Sequence, residues 1–187
     1  MKKWIFTFFE LILFGGLLIV YFVQRLNYPD AFKVAGVYVN SLIGGVNSFI
    51  MLAVLFVSAV SLVASKRGNR FVAKSLSLFA ASFAALLLIS LCVEWMSYAD
   101  GGMFYGGEEL LKKPQGVIAF FNVYYLTIFI FAAHVLWGMF LSSVAFVKIH
   151  VGSITKENSG VLECANSFWG FLTIIWLFIF PLFYLIR

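Results

Sequence analysis

The chain has 187 residues, of which 63% are hydrophobic and only 11% are charged, and its formal net charge is +5. Soluble domains are about half apolar and about one quarter charged, so this surplus of apolar side chains excludes a water-soluble core and makes lipid the solvent. The positive charge alone would suit a nucleic-acid partner. We exclude that partner because the basic residues lie in short segments between apolar runs, where membrane insertion places them.

Five apolar runs are each long enough to cross a bilayer, which takes about 20 residues. Irregular backbone exposed to lipid is excluded at membrane depth, so each run should be a helix. The sequence therefore predicts an all-α membrane protein, a five-transmembrane-helix bundle that forms a single domain over residues 1–187. The predicted helices are Trp4–Gln24, Leu42–Ala64, Phe71–Met96, Val117–Val147 and Val161–Ile186.

The first run follows Lys2 and Lys3, as the apolar region of a secretory signal would, but it ends in Gln24-Arg25 without a small-residue cleavage site, so we interpret it as a retained helix. Basic loop residues favour the cytoplasmic side of a membrane. The N-terminus and the loops on its side carry eight basic residues and the opposite side carries five, which predicts a cytoplasmic N-terminus and an outer C-terminus. The eight are Lys2, Lys3, Lys66, Arg67, Arg70, Lys74, Lys148 and Lys156, and the five are Arg25, Lys33, Lys112, Lys113 and Arg187. The outer loop Ser97–Gln115 is rich in glycine and glutamate, which indicates a polar surface loop.

Ionisable side chains inside a membrane span are costly, so each is a candidate for function. Each candidate is either a group that carries protons or a hydrogen-bonded group that holds helices together, and the sequence leaves both alternatives open. Glycines and tryptophans within the spans are interpreted as residues at which the helices pack against one another. The polar candidates are Glu10, Glu94, His134, Glu163 and Asn47, and the packing candidates are Gly15, Gly16, Gly138, Trp169 and Trp176.

Soluble catalytic motifs such as GxGxxG, the P-loop, CxxC and HExxH do not occur in the sequence. The chain has two histidines and two scattered cysteines, Cys92 and Cys164, which is too few ligands for a haem or binuclear metal centre. We therefore expect no catalytic residue, no cofactor and no metal in this chain. A hydrogen bond to a carboxylate such as Glu163 is the expected use of His134.

Ordered motifs along nearly the whole chain resemble subunit III of the haem-copper respiratory oxidases, in the five-helix form that lacks the first two of seven helices. Each motif alone is weak, but they follow one another in the order of the family. The motifs are Glu10-x-x-x-Phe14-x-Gly16, Tyr28-Pro29-Asp30-x-Phe32, Asn47-Ser48, Glu94-Trp95, His134-x-x-x-Gly138, Phe168-Trp169 with Trp176, and Phe180-Pro181-x-x-Tyr184.

The resemblance implies a non-catalytic accessory subunit in the plasma membrane. Such a subunit packs on catalytic subunit I, holds phospholipids in a cleft between its helices, and supports proton uptake and the stability of the active site. Haem and copper would belong to the partner, which is a proton-pumping cytochrome c or quinol oxidase. Glu10 would be the membrane-embedded carboxylate near the proton-entry side, either neutral or hydrogen-bonded to a neighbouring helix.

Part of the family's buried polar network is absent, because apolar or small residues stand where the family usually has polar ones. These departures are Leu91, Phe131, Gly170 and Thr173. They keep a second interpretation open, the accessory subunit of a nitric oxide reductase. A third is an independent small proton-linked transporter, against which stand the missing inverted repeat and the missing pairs of helices broken by Gly or Pro.

Overall fold

The computed structural model describes the backbone of residues 2–155 and 158–185, and the side chains of residues 8–155 and 158–185. Within these ranges the chain is helical apart from short turns. The elements are α1 (Lys2–Asn27), α2 (Pro29–Tyr38), α3 (Ser41–Lys66), α4 (Arg70–Asp100), α5 (Glu108–Leu111), α6 (Gln115–His150) and α7 (Gly160–Phe180), which continues as a π-helical turn (Pro181–Leu185).

Five of these helices, α1, α3, α4, α6 and α7, are long and apolar enough to cross a membrane, which confirms the predicted fold class. The orientation of the termini and the single-domain organisation stay predictions. The predicted end of the fifth helix at Ile186 and the loop charges Lys156 and Arg187 lie outside the described residues. With 36 residues, α6 is about 54 Å long at 1.5 Å per residue, so it must tilt or project beyond a hydrocarbon core of about 30 Å.

Contacts divide the chain into two compact units, and the first comprises residues 1–44, 92–131 and 178–187. Its described core is aromatic, with rings in edge-to-face pairs, the arrangement that the quadrupoles of the rings favour. Phe32 of α2 packs on Phe120 of α6 with ring centroids 5.3 Å apart, and Tyr21 of α1 packs on Phe183 at 4.9 Å. These pairs join α1, α2, α6 and the π-helical turn.

Pro181 explains the π-helical turn at the end of α7. Proline has no N–H to continue the α-helical hydrogen-bond pattern, and its ring conflicts with the preceding turn, so the helix widens there. A carbonyl in this region needs a donor, because lipid offers none. The hydroxyl of Tyr21 donates to the carbonyl oxygen of Leu182 at 2.6 Å, which ties α1 to the turn.

Most residues of the segment Ser97–Gln115, which the sequence predicts to be a polar surface loop, are exposed, but parts of the segment are helical rather than loop. α4 continues through Ser97 to Asp100, and a tight turn follows, with Gly102 at a φ of +68° that favours glycine. The short helix α5 then buries Leu110 completely, and Tyr125 of α6 donates to the carbonyl oxygen of Met103 at 2.9 Å. The segment is therefore packed at these points, although Tyr105 is exposed.

The second unit comprises residues 45–91 and 132–177. Small residues bring its helices together, as is usual where lipid provides no hydrophobic driving force. Ser61 of α3 donates to the carbonyl oxygen of Ala73 on α4 at 2.8 Å and lies 2.9 Å from the hydroxyl of Ser77. Gly68, at a φ of +82°, ends α3, and the Oδ1 atom of Asn69 accepts from the N–H of Val72 to cap α4.

Candidate functional site

An extensive buried polar contact among the described residues centres on Glu94, near the end of α4 in the first unit. Tyr98 lies four residues later and therefore on the same face of the helix. Its hydroxyl donates to the Oε1 atom of Glu94 at 3.0 Å. The hydroxyl of Tyr184, in the π-helical turn, donates to Oε2 at 2.9 Å. Both oxygens of this carboxyl group thus have a phenol donor.

Two further groups extend this arrangement. The hydroxyl of Tyr124 on α6 lies 3.2 Å from that of Tyr184, and the backbone N–H of Asn40 donates to the hydroxyl of Tyr98 at 3.3 Å. We call Glu94, Tyr98, Tyr124 and Tyr184 the Glu94 cluster. Its members come from α4, α6 and the end of α7, so the cluster joins three of the spanning helices.

Burial determines what the Glu94 cluster can do. Glu94 is 0% exposed and Tyr124 is equally inaccessible, while Tyr184 is 1% exposed. A buried carboxyl group is very costly without donors, so the two phenols stabilise it. A phenol both donates and accepts, so the line of hydroxyls can reorient when Glu94 gains or loses a proton. The arrangement can therefore hold a proton or a negative charge within the membrane, and it also fixes the helices.

Gly44 makes room for the cluster. A Cβ atom at this position would lie 2.5 Å from the Cδ1 atom and 2.6 Å from the Cγ atom of the Tyr184 ring. Such contacts are impossible without a shift of the ring, so glycine lets the ring approach the backbone of α3. The sequence alone does not indicate which ring Gly44 faces.

Three of the remaining polar candidates lie on three different helices. Glu10 is on α1 and 9% exposed, and Asn47 on α3 is fully buried. Neither the oxygen nor the nitrogen of the Asn47 amide has a hydrogen-bond partner among the described residues. The ring of His134 on α6 lies parallel to that of Phe168 on α7, with centroids 6.4 Å apart.

Glu163 opens α7 and forms an ion pair with Lys66, with the Nζ and Oε1 atoms 2.9 Å apart. Ser159 also donates to this carboxylate at 3.2 Å. Both charged side chains are substantially exposed, at 39% for Glu163 and 51% for Lys66. An ion pair in such a setting contributes little to stability, typically about 0–1 kcal/mol.

The packing candidates differ in what surrounds them. A Cβ atom on Gly138 would lie 2.6 Å from the Cζ2 atom of Trp169, so this glycine accommodates the indole of α7. The indole N–H of Trp169 donates to Ser142 at 3.0 Å, and that of Trp176 donates to Ser48 at 2.8 Å. For the other two candidates, no described atom lies within 4 Å of the position that a Cβ would take. These two are Gly15 and Gly16.

Apolar or small residues occupy the positions that depart from the family pattern. Leu91 and Phe131 are buried at 1% and 0% exposure. Thr173 is also buried, and its hydroxyl donates to the carbonyl oxygen of Trp169 on the same helix at 2.8 Å. A Cβ atom on Gly170 would make only ordinary contact with Leu55, at 3.8 Å.

No group of three or more His, Cys, Asp or Glu side chains comes together as a metal site in the part of the chain that the structure describes. Cys92 and Cys164 are both free and exposed. The expectation that this chain holds no metal and no cofactor stays a prediction.

The sequence did not identify the hydrogen-bond partners of Glu94. One signal was present, because a tyrosine inside a membrane span usually needs a hydrogen-bond partner for its hydroxyl.

Comparison with known proteins found no matching family model. The chain is 25% identical to the heme-copper oxidase subunit I+III of Aeropyrum pernix over 196 residues, which cover 98% of this chain. It is 21% identical to the probable cytochrome c oxidase subunit 3 of Nocardia farcinica over 178 residues, which cover 95% of this chain and 83% of that protein. The chain spans only 22% of the length of the Aeropyrum protein. These two relatives confirm the resemblance to subunit III of the haem-copper oxidases.

Proposed function

We propose that this chain is the non-catalytic subunit III of a haem-copper terminal oxidase in aerobic respiration. The observation that carries the proposal is the match of almost the whole chain to a protein named as subunit 3 of a cytochrome c oxidase. Five spanning helices agree with a multi-pass subunit of the plasma membrane. Both relatives carry oxidase names, which favours oxygen over nitric oxide as the partner's substrate.

The proposed partner is the catalytic subunit I. The Aeropyrum relative carries the names of subunits I and III together, and this chain matches 22% of it. In such a protein the part that resembles this chain is covalently joined to the rest, so a separate chain of the same kind would need a stable non-covalent contact instead. Haem and copper would lie in the partner, because haem-copper centres use several histidines and this chain has two.

Two carboxyl groups of this chain could support the partner. Glu10 is nearly buried in α1, which suits a membrane-embedded carboxyl group near the site of proton uptake. Glu94 has two phenol donors and would hold the ends of α4, α6 and α7 in one arrangement. Phospholipid held between the helices would complete the supporting role.

Loss of the chain tests this role. In a strain that lacks the chain, we expect the partner oxidase to keep its haem but to lose oxygen-consuming activity faster during turnover. The wild-type chain should restore the lifetime, and Glu10→Gln should restore it only in part if Glu10 serves proton uptake. Glu163→Gln is the matched control, because its exposed ion pair with Lys66 contributes little.

One result would count against the supporting role, and another would count against a role of Glu10 in proton uptake. An oxidase whose rate and lifetime are the same with and without the chain would contradict a supporting role. Equal behaviour of Glu10→Gln and the wild type would leave Glu10 with a structural role only. Haem content, measured from optical spectra of the same membranes, separates slow turnover from loss of the enzyme.

A further inference from the structure

The Glu94 cluster surrounds one carboxyl group with phenol hydroxyls and with no cation. No basic side chain is paired with Glu94 among the described residues, because the three ion pairs there join other carboxylates. The neighbouring Tyr125 turns its hydroxyl away, to the carbonyl oxygen of Met103. The titratable groups in contact with the carboxyl group, directly or through one another, are therefore Tyr98 of α4, Tyr124 of α6 and Tyr184 of the π-helical turn. Glu94 can change its charge without breaking an ion pair.

The hydrogen of the Tyr98 hydroxyl has one direction open to it. The backbone N–H of Asn40 donates to this hydroxyl at 3.3 Å, and an N–H cannot accept. The other contact of the hydroxyl within the described residues is the Oε1 atom of Glu94 at 3.0 Å, so the hydrogen points to that oxygen. Because Oε1 already accepts from Tyr98, a proton that binds to the carboxyl group must reside on Oε2.

The hydroxyls on the Oε2 side can reverse. The hydroxyl of Tyr184 lies 2.9 Å from Oε2 and 3.2 Å from the hydroxyl of Tyr124, and either of these two hydroxyls can be the donor to the other. When Glu94 is ionised, Tyr184 donates to Oε2 and accepts from Tyr124. When Oε2 carries a proton, Tyr184 accepts from Oε2 and turns its own hydrogen to Tyr124. A phenol can both donate and accept, so this reversal requires no helix to move.

Each charge state of Glu94 has a cost that the other state avoids. The ionised state gives all three phenol hydrogens an acceptor, but it places a charge on a side chain that is 0% exposed. The neutral state removes the charge, but it adds a fourth hydrogen to the same three contacts. Because these costs oppose each other, neither state is excluded. A proton needs no cavity to reach the site, because it moves along hydrogen bonds between polar side chains.

We propose that Glu94 is a proton-binding site within the membrane, which takes a proton from water onto Oε2 and returns it to water while Tyr184 reverses its hydrogen bond. The proposal concerns this chain alone and does not depend on the oxidase role. In that role, Glu10 is the carboxyl group that would serve proton uptake, and Glu94 would only hold the helix ends. Failure of one proposal therefore leaves the other standing.

Infrared difference spectra of the full-length chain in lipid nanodiscs, recorded as the pH is changed, test the proposal. A protonated carboxylic acid has a carbonyl band that a carboxylate lacks. We expect one such band to appear reversibly as the pH falls, to be lost in Glu94→Gln and to persist in Glu10→Gln, which removes the other nearly buried carboxyl group of the described residues. If Glu94→Gln does not fold, Tyr98→Phe assigns the band instead, because removal of the donor to Oε1 should shift its frequency.

The phenol C–O band of tyrosine tests the reversal, because it reports whether a hydroxyl donates or accepts. The largest tyrosine change that accompanies the titration should vanish in Tyr184→Phe and persist in Tyr98→Phe. Tyr125→Phe is the matched control, because Tyr125 adjoins Tyr124 in α6 but bonds Met103 outside the cluster. This control should titrate as the wild type does. Circular dichroism shows which variants are folded.

Three results would overturn the proposal. The carbonyl band of Glu94 would be absent at every pH at which the chain is folded, or it would be present and unchanged at all of them. Either result would exclude reversible proton binding. A tyrosine change that vanishes in Tyr98→Phe and persists in Tyr184→Phe would exclude Oε2 as the atom that carries the proton.

Discussion

Replacing Tyr184 by phenylalanine removes one hydroxyl from the Glu94 cluster and keeps the ring that packs against Gly44. The lost hydroxyl donates to Oε2 of Glu94 at 2.9 Å and lies 3.2 Å from the hydroxyl of Tyr124. All three side chains are almost completely buried, so no water replaces the lost donor. The Oε2 atom of Glu94 then loses the donor that Tyr184 provides.

The structure sets the expected size of this effect. A hydrogen bond to a charged group contributes about 1.5–3 kcal/mol in soluble proteins, whereas bonds between membrane helices average about 0.6 kcal/mol and reach about 1.7. Because Tyr184 bonds a fully buried carboxyl group, we expect the upper part of the membrane range. Tyr184→Phe should lower the free energy of unfolding by about 1–2 kcal/mol.

Unfolding with sodium dodecyl sulfate in mixed micelles, followed by circular dichroism, measures this change. Tyr38→Phe is the matched control, because Tyr38 is 45% exposed and its ring contact with Lys113 survives the substitution. The control should change the free energy of unfolding by less than about 0.5 kcal/mol. Equal effects of the two substitutions would refute the importance of the bond to Glu94. In a double-mutant cycle, Tyr184→Phe and Tyr98→Phe should couple by about 0.5 kcal/mol or more, because both donate to one carboxyl group.

Three further substitutions test the helix contacts and the electrostatics outside the spans. Gly138→Ala should destabilise the protein by about 1–3 kcal/mol in the same unfolding assay, because the indole of Trp169 must move. Gly45→Ala is the matched control, because no described atom lies within 4 Å of the position that its Cβ would take, and it should be neutral or stabilising by up to about 1 kcal/mol. A larger loss of stability in Gly45→Ala than in Gly138→Ala would contradict the packing of Gly138 against Trp169. The Lys112 ammonium beside Glu109 holds the pKa of that carboxyl below its usual range, so the ion pair is present at neutral pH and is lost as the pH falls through that lowered pKa. Lys112→Gln should raise the pKa of Glu109, measured by carbon NMR titration, and an unchanged pKa would contradict this pairing.

The spanning helices could be predicted from the sequence because hydrocarbon leaves the backbone few alternatives. Their ends could not, since apolar runs mark the hydrocarbon region while the helix continues into polar residues, as α4 does through Ser97 to Asp100. The short helix α2 was not predicted either. Proline at its first position suits the start of a helix. However, its ten residues mix polar and apolar side chains without a clear helical period, and only the structure shows that Phe32 and Ala35 are buried.

The candidate site was predictable only in part. Glu94 stood out because a carboxyl group inside a span is costly. Its partner Tyr184 is 90 residues away in sequence, so only the tertiary structure brings the two together. The same limit applies to glycines: Gly15 and Gly138 are alike in sequence, yet only Gly138 faces a tryptophan ring among the described residues.

Purification of the tagged chain from its own membranes in a mild detergent tests the central claim most directly. A reduced-minus-oxidised optical spectrum then reports any haem protein that accompanies it. We expect a haem-containing oxidase to co-purify in constant proportion, and the haem absorbance to stay with the partner after a harsher detergent separates the two. A chain that leaves the membrane alone, with no haem protein attached, would contradict the account.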